Sequence, residues 1–380
     1  MPLATGTWRG ELALQGQELP FLFQVTYEDK DAIIHLINDA EKLRLDSIRI
    51  NGDSIYIPMH IFDTGIKAVF TDSTMTGVWI KNYVDDYQIP FKATLGITDR
   101  FKAIKKNAVD IGAKWEMTII PEEEDTINGI GLFEQQGQDL SGTIITVTGD
   151  YRYLSGVVSG DSISLSTFDG DHAYLFKGKY ENDTLRGSFW SGKSWHARFY
   201  AIKNENAILP DADTLTYLKK GHKKLIFSFP DLNGNMISPE DYRGKILIVQ
   251  LFGSWCPNCM DETKFLAQWY DENKDRGVEI LALAYEAKDD FDYARKRVRK
   301  MKKKFNAKYD FVIAGTKDKE AASKTLPALN RIISFPTTIF LDRHGRVRRV
   351  HTGFTGPGSG EYYQQFIKEF NETVNMLLDE

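Results

Sequence analysis

The stretch Gly253-Ser254-Trp255-Cys256-Pro257-Asn258-Cys259 contains both cysteines of this 380-residue chain. An apolar, strand-like run at 246–252 precedes it, and a helix-like segment at 257–275 follows it. A disulfide across two intervening residues closes too small a ring to stabilise a fold by loop closure. Two cysteines also cannot complete a tetrahedral zinc site by themselves. The spacing therefore favours reversible thiol–disulfide chemistry over a cysteine pair that only fills a core.

Composition is that of a soluble globular protein, and the length predicts two or three domains. The apolar fraction is 42%, the charged fraction is 27% and the net charge is −5, which argues against a general nucleic-acid binder. No run approaches the roughly 18 apolar residues of a membrane helix, and no signal peptide is visible. The seven histidines show no metal-ligand spacing. We therefore expect no metal, and no cofactor besides the redox-active pair Cys256–Cys259.

The first 200 residues are typical of β structure throughout. Short alternating runs such as 21–27 and 162–166 are separated by turn signals such as Asn128-Gly129 and Asp169-Gly170. Strands at this spacing with frequent glycine turns predict an all-β sandwich or barrel.

This β region is also duplicated. Five landmarks recur in the same order about 108 residues later, among them Gly52-Asp53-Ser54-Ile55, which returns as Gly160-Asp161-Ser162-Ile163. Trp8 and Trp115 open the two copies. An ordered series at a nearly constant offset indicates an internal repeat. We predict an all-β domain over 1–203, built from repeats at about 1–105 and 106–203, as two subdomains or as halves of one barrel.

A linker is predicted at 204–221, and the character of the sequence changes after it. Apolar, β-branched runs alternate with helix-like segments through 222–380. This alternation predicts an α/β domain in which helices cover a sheet.

The C-terminal region resembles the TlpA/ResA-type thiol-disulfide oxidoreductases of the bacterial envelope, which have the thioredoxin fold. The resemblance covers about two-fifths of the chain, and the β region shows no such resemblance to a known family. The matching motifs are Phe229-Pro230-Asp231-Leu232-Asn233-Gly234, Tyr242-Arg243-Gly244-Lys245, Trp255-Cys256-Pro257-Asn258-Cys259, Gly277-Val278-Glu279-Ile280, Ser334-Phe335-Pro336-Thr337-Thr338, Ile339-Phe340-Leu341-Asp342 and Gly345-Arg346-Val347.

The resemblance implies a role for each cysteine. Cys256 is expected to be the exposed, attacking nucleophile, and the dipole of the helix that starts there favours its thiolate. Cys259, one turn into the helix, is expected to be the buried resolving thiol. Pro336 aligns with the cis-proline of the family, whose backbone pairs with an extended substrate segment. The residues expected to contact substrate are Trp255, Pro257, Phe335 and Thr337.

Acidic residues near the cysteines depart from the thioredoxin pattern. Thioredoxin places a buried Asp six residues before the first cysteine, whereas this chain has Gln250, which cannot titrate. The resemblance to TlpA/ResA-type proteins makes Glu286 the candidate for a related catalytic role, with a solvent-facing loop residue as the alternative. Asp261 and Glu262 share a helical turn with the cysteines, and the sequence leaves open their net effect on the thiolate of Cys256.

These observations predict a thiol-disulfide oxidoreductase that exchanges disulfides with protein substrates through its Cys-Pro-Asn-Cys motif. One alternative is a thiol peroxidase of the peroxiredoxin-related type, although the Pro-x-x-x-Thr-x-x-Cys pattern of such enzymes is absent around Cys256. The other is a binding module, in which the β domain captures a partner or ligand and the thioredoxin-like part is accessory.

The resemblance also implies partners and a location. We expect protein thiols and disulfides as substrates, a membrane-bound or soluble electron donor, and no nucleic acid. The expected location is the cell envelope or periplasm, with any membrane anchor supplied by a removed N-terminal signal. The basic run at 295–305 has apolar residues at helical spacing, so it predicts an amphipathic surface helix; docking of an acidic partner is its alternative.

Overall fold

The computed structural model describes residues 2–105 and 107–380, which form two compact units. The first unit comprises the chain up to Thr146 together with Tyr151–Leu209. The second comprises Pro210–Glu380 and the four-residue segment Val147–Asp150. The segment 147–150 therefore groups with the second unit, although the sequence places it inside the β domain.

The first repeat forms one antiparallel sheet of nine strands, in the order β4-β3-β2-β1-β9-β8-β7-β6-β5. The two edge strands, β4 and β5, are not paired with each other, so the sheet stays open. The strands are β1 Gly6–Leu14, β2 Gln17–Glu28, β3 Asp31–Asn38, β4 Glu41–Leu45, β5 Arg49–Asn51, β6 Ser54–Pro58, β7 Thr64–Phe70, β8 Thr74–Lys81 and β9 Gln88–Leu95.

The second repeat closes into a barrel. Its strands follow the order β11-β10-β18-β17-β16-β15-β14-β12, and β11 also pairs with β12. The strands are β10 Ala113–Pro121, β11 Ile127–Gln136, β12 Asp139–Thr146, β14 Leu154–Ser159, β15 Ser162–Phe168, β16 Ala173–Glu181, β17 Thr184–Ser191 and β18 Trp195–Lys203; the two-residue β13, Gly149–Asp150, lies in the segment that groups with the second unit.

The predicted duplication is confirmed in topology and in detail. Trp8 and Trp115 occupy equivalent places in β1 and β10, and both side chains are fully buried. Each indole Nε1 donates to the carbonyl four residues earlier, at 3.1 Å to Ala4 and 2.8 Å to Ile111. A buried indole N–H needs such a partner, and both copies provide it in the same way.

A turn of the second repeat joins the two sheets into one unit. The ring of Phe168, at the end of β15, lies 4.6 Å from that of Phe21. Asn38 Nδ2 donates to the carbonyl of Phe168 at 2.9 Å, and the Nε1 of Trp79 donates to the carbonyl of Gly170 at 3.2 Å. The two repeats therefore share buried contacts, so they fold together as one unit.

The second unit is the predicted α/β fold. Its sheet has the order β23-β22-β21-β24-β25, in which β21, β22 and β23 are parallel and β24 is antiparallel to both of its neighbours, β21 and β25. All residues of the central strand β21 are buried, which accounts for its apolar run, interrupted only by Gln250. The strands are β19 Phe229–Pro230, β20 Met236–Ile237, β21 Ile246–Phe252, β22 Val278–Glu286, β23 Asp310–Thr316, β24 Thr337–Leu341 and β25 Val347–Thr352.

Four α-helices accompany this sheet: α1 Pro257–Asn273, α2 Phe291–Lys304, α3 Lys319–Thr325 and α4 Glu361–Asp379. Short 3₁₀ turns lie at Ala212–Thr214, Pro239–Tyr242, Lys274–Arg276 and Pro357–Ser359. The basic run falls in α2, where Val298 and Met301 are buried while Lys296, Lys300 and Lys303 are exposed. The predicted amphipathic surface helix is therefore confirmed.

Replacing Phe168 by Ala should destabilise the first unit by about 3–5 kcal/mol, because it leaves a cavity among buried aromatic rings. Phe168 is fully buried against Phe21 and Trp79. Urea unfolding followed by circular dichroism measures the change. Ile208→Ala is the control, since this side chain is 88% exposed and its loss should change stability by no more than about 0.5 kcal/mol. Equal stabilities of the two variants would contradict the shared core.

Candidate active site

Cys256 stands at the junction of β21 and α1. Its backbone is extended, and it forms the N-cap of α1 with Pro257 at the first helical position. Its Sγ accepts a hydrogen bond from the backbone N–H of Cys259 at 3.2 Å. The helix N-terminus therefore directs an N–H group and its partial positive charge at this sulfur, which stabilises negative charge there.

Both cysteines are thiols in this structure, and both are buried. The exposed fraction is 6% for Cys256 and zero for Cys259. The expectation that Cys256 is an exposed side chain is therefore wrong for this conformation, although it is the more accessible of the two. The Sγ of Cys256 also donates to the carbonyl of Phe335 at 3.5 Å, so the loop before β24 covers one side of the sulfur.

Cys259 has the environment expected of a resolving thiol. Burial raises its pKa well above the ordinary value, because a thiolate is poorly solvated there. The neighbouring Cys256 and the negative charge of Glu262 raise the pKa of Cys259 further. The first turn of α1 thus places one sulfur where charge is stabilised and the other where it is not.

The loop that holds Pro336 lies beside this helix because of strand register. Thr337, the first residue of β24, pairs with Leu251 near the end of β21. The Phe335–Pro336 peptide bond is cis, as predicted. The Oγ1 of Thr337 donates to the carbonyl of Ser334 at 2.8 Å and closes the turn.

Trp255, which precedes Cys256, and Phe335, whose carbonyl accepts from the Cys256 thiol, form an aromatic pair. The ring centroids are 6.0 Å apart in an edge-to-face arrangement, which is a favoured geometry for aromatic pairs. The Nε1 of Trp255 donates to the carbonyl of Tyr285 at 2.9 Å, and the Nζ of Lys317 lies 5.7 Å from the ring centroid. The indole is partly exposed, so it offers an apolar surface beside Cys256.

Glu286 is fully buried at the end of β22, so the solvent-facing alternative is wrong. Burial raises its pKa, and hydrogen bonds from Ser254 together with the charge of Arg297 offset part of that rise. Its carboxylate accepts from the backbone N–H of Ser254 at 2.9 Å and from the Ser254 hydroxyl at 2.8 Å. These contacts join Glu286 to the loop two residues before Cys256 rather than to Cys259.

Glu262 is the acidic residue that the sequence analysis noted without assigning a role. It is fully buried, and its two carboxylate oxygens accept from Gln250 Nε2 at 2.7 Å and from Thr338 Oγ1 at 2.6 Å. Burial raises the pKa of Glu262 to about 7, and these two hydrogen bonds limit the rise. A signal was present in the sequence: a Glu stands three residues after Cys259 in a chain that has Gln250 in place of an acid.

Within 2–105 and 107–380, no group of three or more His, Cys, Asp or Glu side chains is arranged to hold a metal ion. Over the same residues, none of the helices combines the length and the apolar character needed to span a bilayer.

Comparison with known proteins places this unit among thiol-disulfide enzymes. The model of the AhpC/TSA family matches residues 221–350. The thiol-disulfide oxidoreductase ResA of Geobacillus kaustophilus is 30% identical over 142 residues, which are 37% of this chain and 74% of the relative. ResA of Halalkalibacterium halodurans is 27% identical over 156 residues, which are 41% of this chain and 77% of the relative. A solved thiol:disulfide interchange protein of the thioredoxin family from Chlorobium tepidum matches 42% of this chain and 98% of its own length, with 21% identity and a TM-score of 0.31.

The pKa of Glu262 predicts how stability depends on pH. Between the ordinary Glu value of 4.5 and about 7, the folded chain holds a proton that the unfolded chain has released. Rising pH therefore lowers the free energy of unfolding across this window, by up to about 3 kcal/mol. Glu262→Gln removes this loss. Between pH 5 and pH 8, the free energy of urea unfolding should fall by about 3 kcal/mol more in wild type than in the variant.

Glu272→Gln is the matched control, because Glu272 lies on the same helix and is exposed. It should keep the pH dependence of wild type. If Glu262→Gln also kept that dependence, Glu262 would be ionised in the folded chain throughout this pH window. That result would contradict a raised pKa for the buried Glu262.

Proposed function

This chain belongs, through its second unit, to the family of the ResA thiol-disulfide oxidoreductases, and we propose that it exchanges disulfides with protein substrates through Cys256 and Cys259. The observation that carries the proposal is the asymmetry of the two thiols. Cys256 Sγ accepts the N–H of Cys259 at the start of α1, whereas Cys259 is fully buried with a raised pKa. Such a pair separates attack from resolution.

The reaction proceeds by two exchanges. The thiolate of Cys256 attacks one sulfur of a client disulfide, a Cys256–client disulfide forms, and the other client sulfur leaves as a thiolate. Cys259 then loses its proton and attacks the Sγ of Cys256. The Cys256–Cys259 disulfide forms, the second client sulfur leaves, and the client has gained two electrons. The same steps in reverse oxidise a client dithiol.

Glu262 is our proposed acceptor for the proton of Cys259. The resolving step needs a thiolate in a buried place where a charged sulfur is disfavoured. Glu262 lies one turn further along α1, and its charge raises the pKa of Cys259. A pKa of about 7 for Glu262 suits a group that takes and returns a proton near neutral pH.

Glu286 has a positioning role in this proposal. Its two hydrogen bonds from Ser254 fix the loop that leads to Cys256. Among the residues predicted to contact substrate, Trp255 retains that role in the proposal, because its side chain is partly exposed. Pro257, Phe335 and Thr337 are buried in this conformation, where Pro257 and Thr337 shape the helix start and the loop beside it.

The proposal extends to the location of the protein, its partners and the role of its β domain. Its resemblance to TlpA/ResA-type proteins supports a place in the cell envelope, with protein thiols as clients and a separate electron donor. We also propose that the chain is modular and that the β domain selects the client. Of the predicted linker at 204–221, residues 210–221 group with the second unit, where Asp213 bonds Arg349 and His351. A thiol peroxidase is the competing enzyme, and the experiment below separates the two.

Cys259→Ser should trap client proteins in mixed disulfides on Cys256, whereas Cys256→Ser should abolish exchange, because only Cys256 attacks the client. Mass spectrometry of the trapped adducts and insulin reduction measure these outcomes. In the reduced wild type, Cys256 should also be alkylated faster than Cys259. Adducts on Cys259 would contradict the assignment. Rapid reduction of hydroperoxides with no insulin reduction would establish the peroxidase.

A further inference from the structure

The segment Val147–Asp150 has an unusual place in this chain. It lies between two strands of the second β repeat in sequence, yet it groups with the unit that contains the cysteines. Its last two residues, Gly149 and Asp150, form the short strand β13 and are buried. A four-residue segment that leaves the β unit in this way needs contacts that hold it in the second unit.

Hydrogen bonds contribute to these contacts. The Oγ of Ser334 lies 3.2 Å from the carbonyl oxygen of Thr148 and 3.2 Å from that of Phe335, so its one hydrogen is shared between the two acceptors. The Nδ2 of Asn258 donates to the carbonyl of Asp150 at 3.2 Å. The backbone N–H of Gly356 donates to the carboxylate of Asp150.

The partners of the segment belong to the two stretches of chain that contact the reactive sulfur, the start of α1 and the loop before β24. Asn258 is one of the two residues between Cys256 and Cys259. Ser334 directly precedes Phe335, whose carbonyl accepts the thiol hydrogen of Cys256. The segment is thus bonded to both of these stretches.

Two glycines allow the segment to lie this close. A Cβ on Gly149 would be 2.0 Å from the Nδ2 of Asn258 and 3.1 Å from the carbonyl oxygen of Phe354. A Cβ on Gly353 would be 2.8 Å from the backbone of Thr148. Both glycines also have positive φ, +140° and +82°, which other residues rarely adopt. A side chain at Gly149 would displace the Asn258 amide that bonds Asp150, and one at Gly353 would press on the backbone of Thr148. Each would weaken the contacts that hold the segment.

We propose that Val147–Asp150 is a built-in cap, which occupies the surface that a client polypeptide needs in order to bring its disulfide to Cys256. The inference rests on the proposed exchange at Cys256. The bonds from Ser334 and Asn258 go to backbone carbonyls of the segment, which any extended polypeptide offers. A client half-cystine in contact with Cys256 Sγ places its flanking chain over the same donors, Asn258 and Ser334. The client and the cap therefore exclude each other, and exchange requires the cap to open.

An equilibrium between closed and open forms follows from this competition. Only the open form binds a client, so the apparent affinity is lowered by the open fraction. Variants that weaken the cap should raise the rate of exchange without altering either thiol.

The test uses the full chain with one glycine changed on each side of the contact, Gly149→Ala and Gly353→Ala. Gly137→Ala and Gly221→Ala are the controls, because both have positive φ but no atom within 4 Å of the added Cβ. The rates of reaction of reduced Cys256 with iodoacetamide and with a short peptide disulfide are measured for all five chains. Both cap variants should react about tenfold faster than wild type with each reagent, which corresponds to ~1.4 kcal/mol. The controls should stay within about twofold.

Three results have distinct meanings. If Cys256 in the cap variants reacted with both reagents at rates within twofold of wild type, the proposal of a cap would be overturned. Slower reaction with the peptide at an unchanged iodoacetamide rate would also overturn it, because the segment would then be part of the client-binding surface. Faster alkylation of both cap variants, in chains that form no mixed disulfide at all, would support the cap and reject the proposed exchange.

A second measurement does not depend on the glycine variants. In Cys259→Ser, a peptide disulfide attacked by Cys256 leaves one peptide half bound to it and releases the other as a thiolate. Hydrogen–deuterium exchange of the amides at 147–150 is compared before and after this loading, since exchange reports local opening. Faster exchange in the loaded chain is expected. Equal or slower exchange would overturn the cap.

Discussion

The exclusion of water around Cys259 and Glu262 is the constraint on which the rest of this active site depends. Both side chains are fully buried, so each resists ionisation and keeps its proton to higher pH than it would in water. The hydrogen bonds to Glu262 come from Gln250 and Thr338, which are direct partners across β21 and β24. Directly opposed residues on an antiparallel pair point to the same face. The register of two buried strands therefore creates the site of the acid.

Much of the second unit follows from local sequence. The apolar run, the Cys-x-x-Cys and the helical segment specify a strand, a tight turn and a helix N-terminus, each through short-range rules. The cis peptide bond before Pro336 was predicted from the resemblance and is present. Glu262 was missed as a functional residue because its burial depends on which face of α1 meets the sheet. The burial of Cys256 was not predictable either, since its thiol contacts the carbonyl of Phe335, 79 residues further along the chain.

The β region shows a similar division between local and non-local information. Turn signals and repeated landmarks predicted the strands and the duplication, and the matching indole hydrogen bonds of Trp8 and Trp115 agree with both. Closure was not predictable, because the second repeat pairs β11 with β12 to form a barrel while the first leaves its edges unpaired. That difference lies in the long-range pairing of β11 with β12, which local turn signals do not encode. A repeat in sequence does not specify which copy closes.

The most direct measurement of the central claim is a titration of Cys259 in the reduced chain, followed by the NMR chemical shift of its Cβ. The account predicts that Cys259 stays a thiol well above the ordinary cysteine value of about 8.5. It also predicts a smaller inflection near pH 7, where the neighbouring Glu262 ionises. Loss of the Cys259 proton at or below about 8.5, with no inflection near pH 7, would contradict the buried acid–thiol pair.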